Sequence, residues 1–161
     1  MPNAALIAHN AQFKKAIVEL APRVWTAVGY AASNMHMIEG ETSVTIIDTT
    51  ESTKAAENIL AEFRKLTDKP IARIIYTHSH RDHICGASVF SPKGDVPILA
   101  SANFSSDLIG VDPNAIAPNK SLGRRTQAQF GIGLPPAARV NLGCGPGDRP
   151  MEGLGAGYLE P

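Results

Sequence analysis

The chain is poor in cysteine, carries no net charge and has no long hydrophobic run. Two cysteines, Cys85 and Cys144, in 161 residues are too few for a disulfide framework, and their spacing is not that of a zinc knuckle. Lys plus Arg and Asp plus Glu each number 15, so the formal charge is zero. A surface that grips phosphates needs a basic surplus, so nucleic acid is not an expected partner. No stretch is long or apolar enough to cross a bilayer as a helix, so no transmembrane segment is expected. No basic residue precedes an apolar run at the N-terminus, so no signal peptide is read there. The default expectation is a cytoplasmic protein, with the periplasm or secretion left open if a leader precedes this stretch. What remains is ordinary for a globular protein: 43% hydrophobic and 19% charged residues. That is enough for one domain with a core, expected over residues 1–161.

Histidine is also scarce, five in all, yet three fall within six positions. Residues 76–83 read Tyr-Thr-His-Ser-His-Arg-Asp-His, so His78, His80, Asp82 and His83 form an H-x-H-x-D-H pattern. The preceding residues 71–76 are β-branched and aromatic, which predicts a buried strand. Residues two apart at a strand end point the same way, so His78 and His80 can offer imidazoles to one metal ion. Asp82 and His83 follow where the chain turns and can face a second. Zinc accepts imidazole nitrogen and carboxylate oxygen. A single His there reads as a surface residue, and Asp82 alone reads as a helix N-cap; all four in this register read as a metal site.

Around this motif the chain alternates strands and helices. Residues 4–15 have mixed helical character. Residues 16–20 and 24–30 read as a hairpin about the Ala21-Pro22-Arg23 turn, and 35–38 and 44–48 as a second about Gly40. Residues 51–66 give the clearest helix, with Ala55, Ile59, Leu60 and Phe63 on one face, a cap at Thr50 or Ser52 and Pro70 beyond its end. A helical turn at 87–90 and a short strand at 96–100 follow. Residues 110–161 form a poorly patterned tail rich in Gly and Pro. Within it 124–130 suits a helix, and 132–161 reads as extended loop outside the core.

In this order of elements, H-x-H-x-D-H resembles the N-terminal half of the metallo-β-lactamase fold. The wording Ile38-Glu39-Gly40, Ile47-Asp48-Thr49-Thr50-Glu51-Ser52, 63–70 and 74–78 is similar to the linear alkylsulfatase branch. The resemblance covers about 13–104 well and reaches more loosely through 124–131. It implies an α+β fold, an αβ/βα sandwich of which only the N-terminal half is expected here. It further implies a zinc-dependent hydrolase with two Zn2+ ions, cleaving alkyl sulfates such as dodecyl sulfate to an alcohol and inorganic sulfate by a metal-activated water. His78 and His80 would ligate the first ion, and Asp82 and His83 the second, with Asp82 also the candidate catalytic residue. A homodimer of the full-length protein is compatible with the resemblance.

Two features depart from the family pattern. Ile84-Cys85-Gly86 stands where small residues, often Gly-Gly, are usual. No His follows His83, although the fold draws further His or acidic ligands from its second half. The chain is therefore expected to be the first part of a longer enzyme. Asp95 and Asp107 are acids able to complete a single zinc site, as is Asp48, which otherwise holds a ligating His or merely ends a strand. Cys85 is read as a small buried thiol rather than a ligand, and His36 as surface or core filler. Arg124 and Arg125 are read as a solvated pair before a sulfate clamp. Gly143-Cys144-Gly145-Pro146-Gly147 lacks the strand-to-helix context of a phosphate loop. Other chemistries of the fold remain alternatives: a thioesterase, lactonase or β-lactamase, or a non-catalytic fragment with an incomplete zinc site.

Overall fold

The structure is a computed structural model that describes residues 2–104, 127–129, 131 and 133–161. Arg124, Arg125, Asp107 and most of the helix expected at 124–130 lie outside the described residues. One six-stranded sheet runs β1 to β6 in sequence order: Ala16–Ala21, Val24–Val28, Met35–Glu39, Val44–Ile47, Ile71–Ile75 and Ile98–Leu99. The first four strands form an antiparallel meander, so the two expected hairpins are one continuous unit. The β4–β5 and β5–β6 pairs are parallel. A parallel partner needs a crossover, and α2, Thr53–Phe63, supplies it between β4 and β5.

The helix is shorter than its periodicity suggests because both ends have definite stops. Ser52 Oγ accepts from the Ala55 amide and caps the first turn, and Arg64 closes the last. Glu51 therefore precedes the helix, and its side chain is free for another task. At the N-terminus, the expected helical stretch splits into α1, Ala4–His9, and a 3-10 turn over Asn10–Phe13.

Strand alternation sorts the sheet into two unlike faces. Trp25, Met37, Ile46, Ile74 and Ile98 align across β2 to β6 on one of them. Ala56, Ile59 and Phe63 of α2 cover that face and form the core with them. Truncating the fully buried Phe63 ring would cost about 3–5 kcal/mol. The other face carries the row Val18, Thr26, His36, Ile47, Ile75 and Leu99 across all six strands. Its ends are open to solvent, Val18 at 40% and Leu99 at 50% exposure.

After Ile75 the chain leaves the sheet at Tyr76, turns through the His-rich stretch and enters two short helices, α3 at Arg81–Ile84 and α4 at Ala87–Phe90. Gly86 joins them because nothing larger fits. A Cβ there would lie 2.1 Å from the Thr49 carbonyl oxygen and 2.6 Å from Ala56 Cβ. The junction is thereby pressed against both the β4 end and α2.

Residues 133–161 correct one expectation. They contain little regular structure, a 3-10 turn at Pro136–Ala138 among it, yet they do not lie outside the core. Tyr158 and Leu159 pack against it, and the Leu159 carbonyl accepts from Tyr76 Oη at 3.0 Å. Gly and Pro erase periodicity without preventing docking, and periodicity was the only signal available for that stretch.

Replacing Gly86 with Ala forces a methyl group into backbone that cannot yield. A loss of about 1–3 kcal/mol is expected, the range for overpacking a tight site. Denaturant melts of the parent chain and Gly86→Ala, giving equal stability, would contradict this packing.

Candidate metal centre

The site begins where β4 ends. Asp48 follows the last β4 residue and adopts φ 59°, and Thr50 adopts φ 68°. Left-handed backbone is unfavourable for side chains of this kind, above all for β-branched Thr, and costs about 1–3 kcal/mol per residue. The surroundings enforce it. The Asp48 amide still donates to the Ile75 carbonyl, and the Thr49 amide turns to the His83 carbonyl at 2.6 Å. Thr50 Oγ1 donates to the Ser52 carbonyl. This reversal swings the Asp48 carboxylate toward the end of the neighbouring strand.

There it meets three partners. The Thr77 amide donates to Asp48 Oδ1 at 2.9 Å, and Thr77 Oγ1 donates to Oδ2 at 2.8 Å. His83 Nδ1 lies 2.7 Å from the same Oδ2. A buried carboxylate thus ties the start of the His-rich turn to its last histidine. Of the roles open to Asp48, the contact the structure shows is the one to a histidine ring.

The rings of His78 and His80 are 4.5 Å apart between centroids, and those of His78 and His83 are 4.1 Å apart. His83 Nε2 faces Asp82 Oδ2 at 3.4 Å. His78 and His80, two apart, therefore share one side of the chain, with His83 folded back onto them by α3. His78 Nδ1 is 3.0 Å from Thr77 Oγ1. His36 sits on β3 with Asp48 and His83 close enough to influence its charge; burial, first of all, lowers its pKa. Cys85 is fully buried, and burial pushes its thiol pKa up, as for a small core residue.

The donor types suit zinc, and the His83–Asp48 contact is the kind that fixes the ring of a ligating imidazole. The positions are not those of a closed site. Among the described residues no group of three or more His, Cys, Asp or Glu stands arranged about a common point. The imidazoles crowd side by side without converging on one point. Asp95 is not brought into this cluster.

Charge follows the same contacts. Burial lowers the pKa of His78, and its two neighbouring imidazoles lower it further. Burial also pulls His83 down, but its hydrogen bonds and charge interactions with Asp48 and Asp82 carry its pKa up to about 9. Burial would raise Asp82, while the His83 hydrogen bond and charge bring its pKa below the usual carboxylate value.

A cavity of about 650 Å³ opens beside the cluster, and Asp82 is part of its wall. Arg139 and Arg149 supply other polar positions, and Ala32, Leu142 and Met151 apolar ones. The residues from the tail were invisible as site residues in the sequence. Nothing local marks them, and only their distance in space from Asp82 reveals them. Thr77 carried a weak signal, as a hydroxyl directly before the first histidine.

Comparison with known proteins places these observations. The metallo-beta-lactamase superfamily model matches residues 28–155. The chain is 34% identical over 143 residues to the alkyl/aryl-sulfatase BDS1 of Saccharomyces cerevisiae, covering 85% of this chain and 22% of that protein. It is 34% identical over 122 residues to a linear primary-alkylsulfatase of Pseudomonas sp., covering 73% of this chain and 22% of the relative. The solved structure of the stereoselective inverting sec-alkylsulfatase Pisa1 from Pseudomonas sp. superposes with a TM-score of 0.64 at 27% identity, over 83% of this chain and 22% of that one. The chain spans about a fifth of the length of these relatives.

The raised His83 pKa makes a prediction for the metal-free chain. The protonated ring is stabilised in the folded state relative to its unfolded value of about 6.5. That contribution is complete below about pH 6.5 and is lost as pH rises through about 9. Thermal melts in chelator should show this fall in the parent and a flatter profile in Asp48→Asn. Identical profiles would contradict the His83–Asp48 pairing.

Proposed function

The chain belongs to the metallo-beta-lactamase superfamily, and on that premise we propose that it carries the metal-binding turn of an alkyl sulfate ester hydrolase. The observation that carries the reading is the double position of Asp82. It stands within the imidazole cluster and in the wall of a cavity large enough for an organic ester. The alkylsulfatase relatives support the ester class.

His78 and His80 would hold one zinc ion and Asp82 and His83 a second. Bound zinc lowers the pKa of a coordinated water to about 7, supplying hydroxide at neutral pH. The reaction consumes one water and one alkyl sulfate and yields an alcohol and hydrogen sulfate. Asp48 holds His83 Nδ1 and fixes the ring plane, so Nε2, which faces Asp82 Oδ2, is the nitrogen that would turn to a metal ion. Thr77 anchors the first turn through the same carboxylate. Asp82 is the candidate catalytic residue because it alone of the four faces the cavity. Apolar Leu142 and Met151 suit an alkyl chain such as that of dodecyl sulfate, and the guanidinium of Arg139 suits the anionic head.

A second reading, a zinc-binding segment without catalysis of its own, draws on the lack of a closed three-donor group among the described residues. Four donors shared by two ions give two each, below the three typical of catalytic zinc. These 161 residues alone are therefore expected to bind zinc weakly and to release little or no sulfate from dodecyl sulfate. Zinc stoichiometry by atomic emission and sulfate release measure both, with a thioester and a lactone assayed alongside. His80→Ala should reduce zinc uptake further. Turnover of the thioester or lactone in preference to the sulfate would overturn the assignment to sulfate esters. Two tightly held zinc ions with turnover lost in His80→Ala would show a complete enzyme.

A further inference from the structure

The tail described above makes contacts with the segment 51–54, at the start of α2, and with the α3–α4 junction that follows the metal-binding turn. Arg149 Nε lies 2.6 Å from Glu51 Oε1, an ion pair whose side chains are 17% and 5% exposed. Both Glu51 oxygens also accept from the Ala32 amide, at 3.0 and 3.1 Å. The next residue, Ser33, donates its hydroxyl to the Asp82 carbonyl. A polar path thus runs from Arg149 through Glu51 and the 32–33 loop to the backbone of Asp82.

A second set of contacts runs from the start of α2 to the α3–α4 junction. The Pro150 carbonyl accepts from Ser52 Oγ, and those of Glu152 and Gly153 accept from the Lys54 and Thr53 amides. These are amides of the first turn of α2, which the helix itself leaves without partners. The Gly155 amide donates to the Glu51 carbonyl. The Gly157 amide donates to the Cys85 carbonyl, and the Gly157 carbonyl accepts from the Ser88 amide. These two bonds clamp the α3–α4 junction directly after His83. Glycine is required for the approach: a Cβ at Gly153 would lie 2.0 Å from Thr53 Oγ1, and one at Gly157 would lie 2.7 Å from the Cys85 carbonyl oxygen.

Resting on the zinc reading above, we propose that residues 149–159 are a strap that sets the metal affinity of the 78–83 turn, with Arg149 its positioning residue. The docked strap holds Asp82 and His83 at fixed places relative to His78 and His80. Undocked, α3 can rotate, and the donors lose their common orientation before any ion arrives. Loss of partners that orient metal ligands typically weakens affinity by about 10–100-fold. Coupling of this kind is reciprocal: what docking does for zinc, zinc does for docking by the same factor.

The experiment uses the whole chain and zinc alone. Zinc affinity is measured by competition with a chromogenic chelator for the parent, Arg149→Met and Arg149→Lys. Backbone hydrogen exchange of the parent is followed with and without zinc. Arg149→Met is expected to bind zinc about tenfold more weakly, Arg149→Lys to recover part of the loss, and zinc to slow exchange at Gly155, Gly157 and Ser88. A merely structural ion pair would leave exchange at those amides insensitive to zinc. Should Arg149→Met fail to fold, the exchange measurement on the parent decides alone. Parent-like affinity in a folded Arg149→Met, or amides indifferent to zinc in a parent that binds it, would overturn the strap while leaving the metal site standing. A parent that takes up no zinc would overturn both.

Discussion

The Asp48 carboxylate is the point on which the rest of this structure converges. It hangs from the end of β4, accepts from Thr77 at the end of β5, and holds His83 on α3. The end of β4 is thereby fixed by a single side chain to the end of β5 and to α3, both about thirty residues further along the chain. Backbone strain at Asp48 and Thr50 is the cost of placing it there. The buried amides and carbonyls around it are paired in compensation, with His83 as the main acceptor for Thr49. A carboxylate held in this way is a fixed negative charge. It favours a cationic neighbour, whether a proton on His83 or a metal ion beyond it.

The sheet explains why that carboxylate finds its partners. Parallel pairing of β4 with β5 places the C-terminal ends of both strands side by side. Loops that leave those ends then meet without long excursions. α2 makes the crossover and buries Ala56, Ile59 and Phe63 against the sheet. The hydrophobic layer thus fixes the strand ends, and the strand ends fix the donors. The candidate donors lie beyond the strand ends, on the turn after β5 and on α3, rather than in the sheet.

Much of this was legible in the sequence, for identifiable reasons. Strands β3 to β5 are short β-branched or Met-rich runs bounded by turn residues, and α2 has a clean apolar stripe. The four candidate donors were legible because they are adjacent, so their relation needs no folding to be seen. What escaped notice is non-local. Glu51 looked like the first residue of a helix, whereas its partner Arg149 lies far along the chain. The tail looked like loop because Gly and Pro mask any period. Its contacts are made by backbone groups, which every sequence has and none advertises.

The sheet face bearing Val18, Ile38 and Leu99 remains partly open to solvent among the described residues. A sheet face left open in this way contributes less newly exposed apolar surface on unfolding than a covered one. Heat-capacity increments and denaturant slopes scale with that newly exposed area. The chain's unfolding curves should therefore be shallow for a protein of its size, with a stability that varies gently with temperature. Breadth of the transition would here measure the uncovered sheet, and carry no message about disorder in the core.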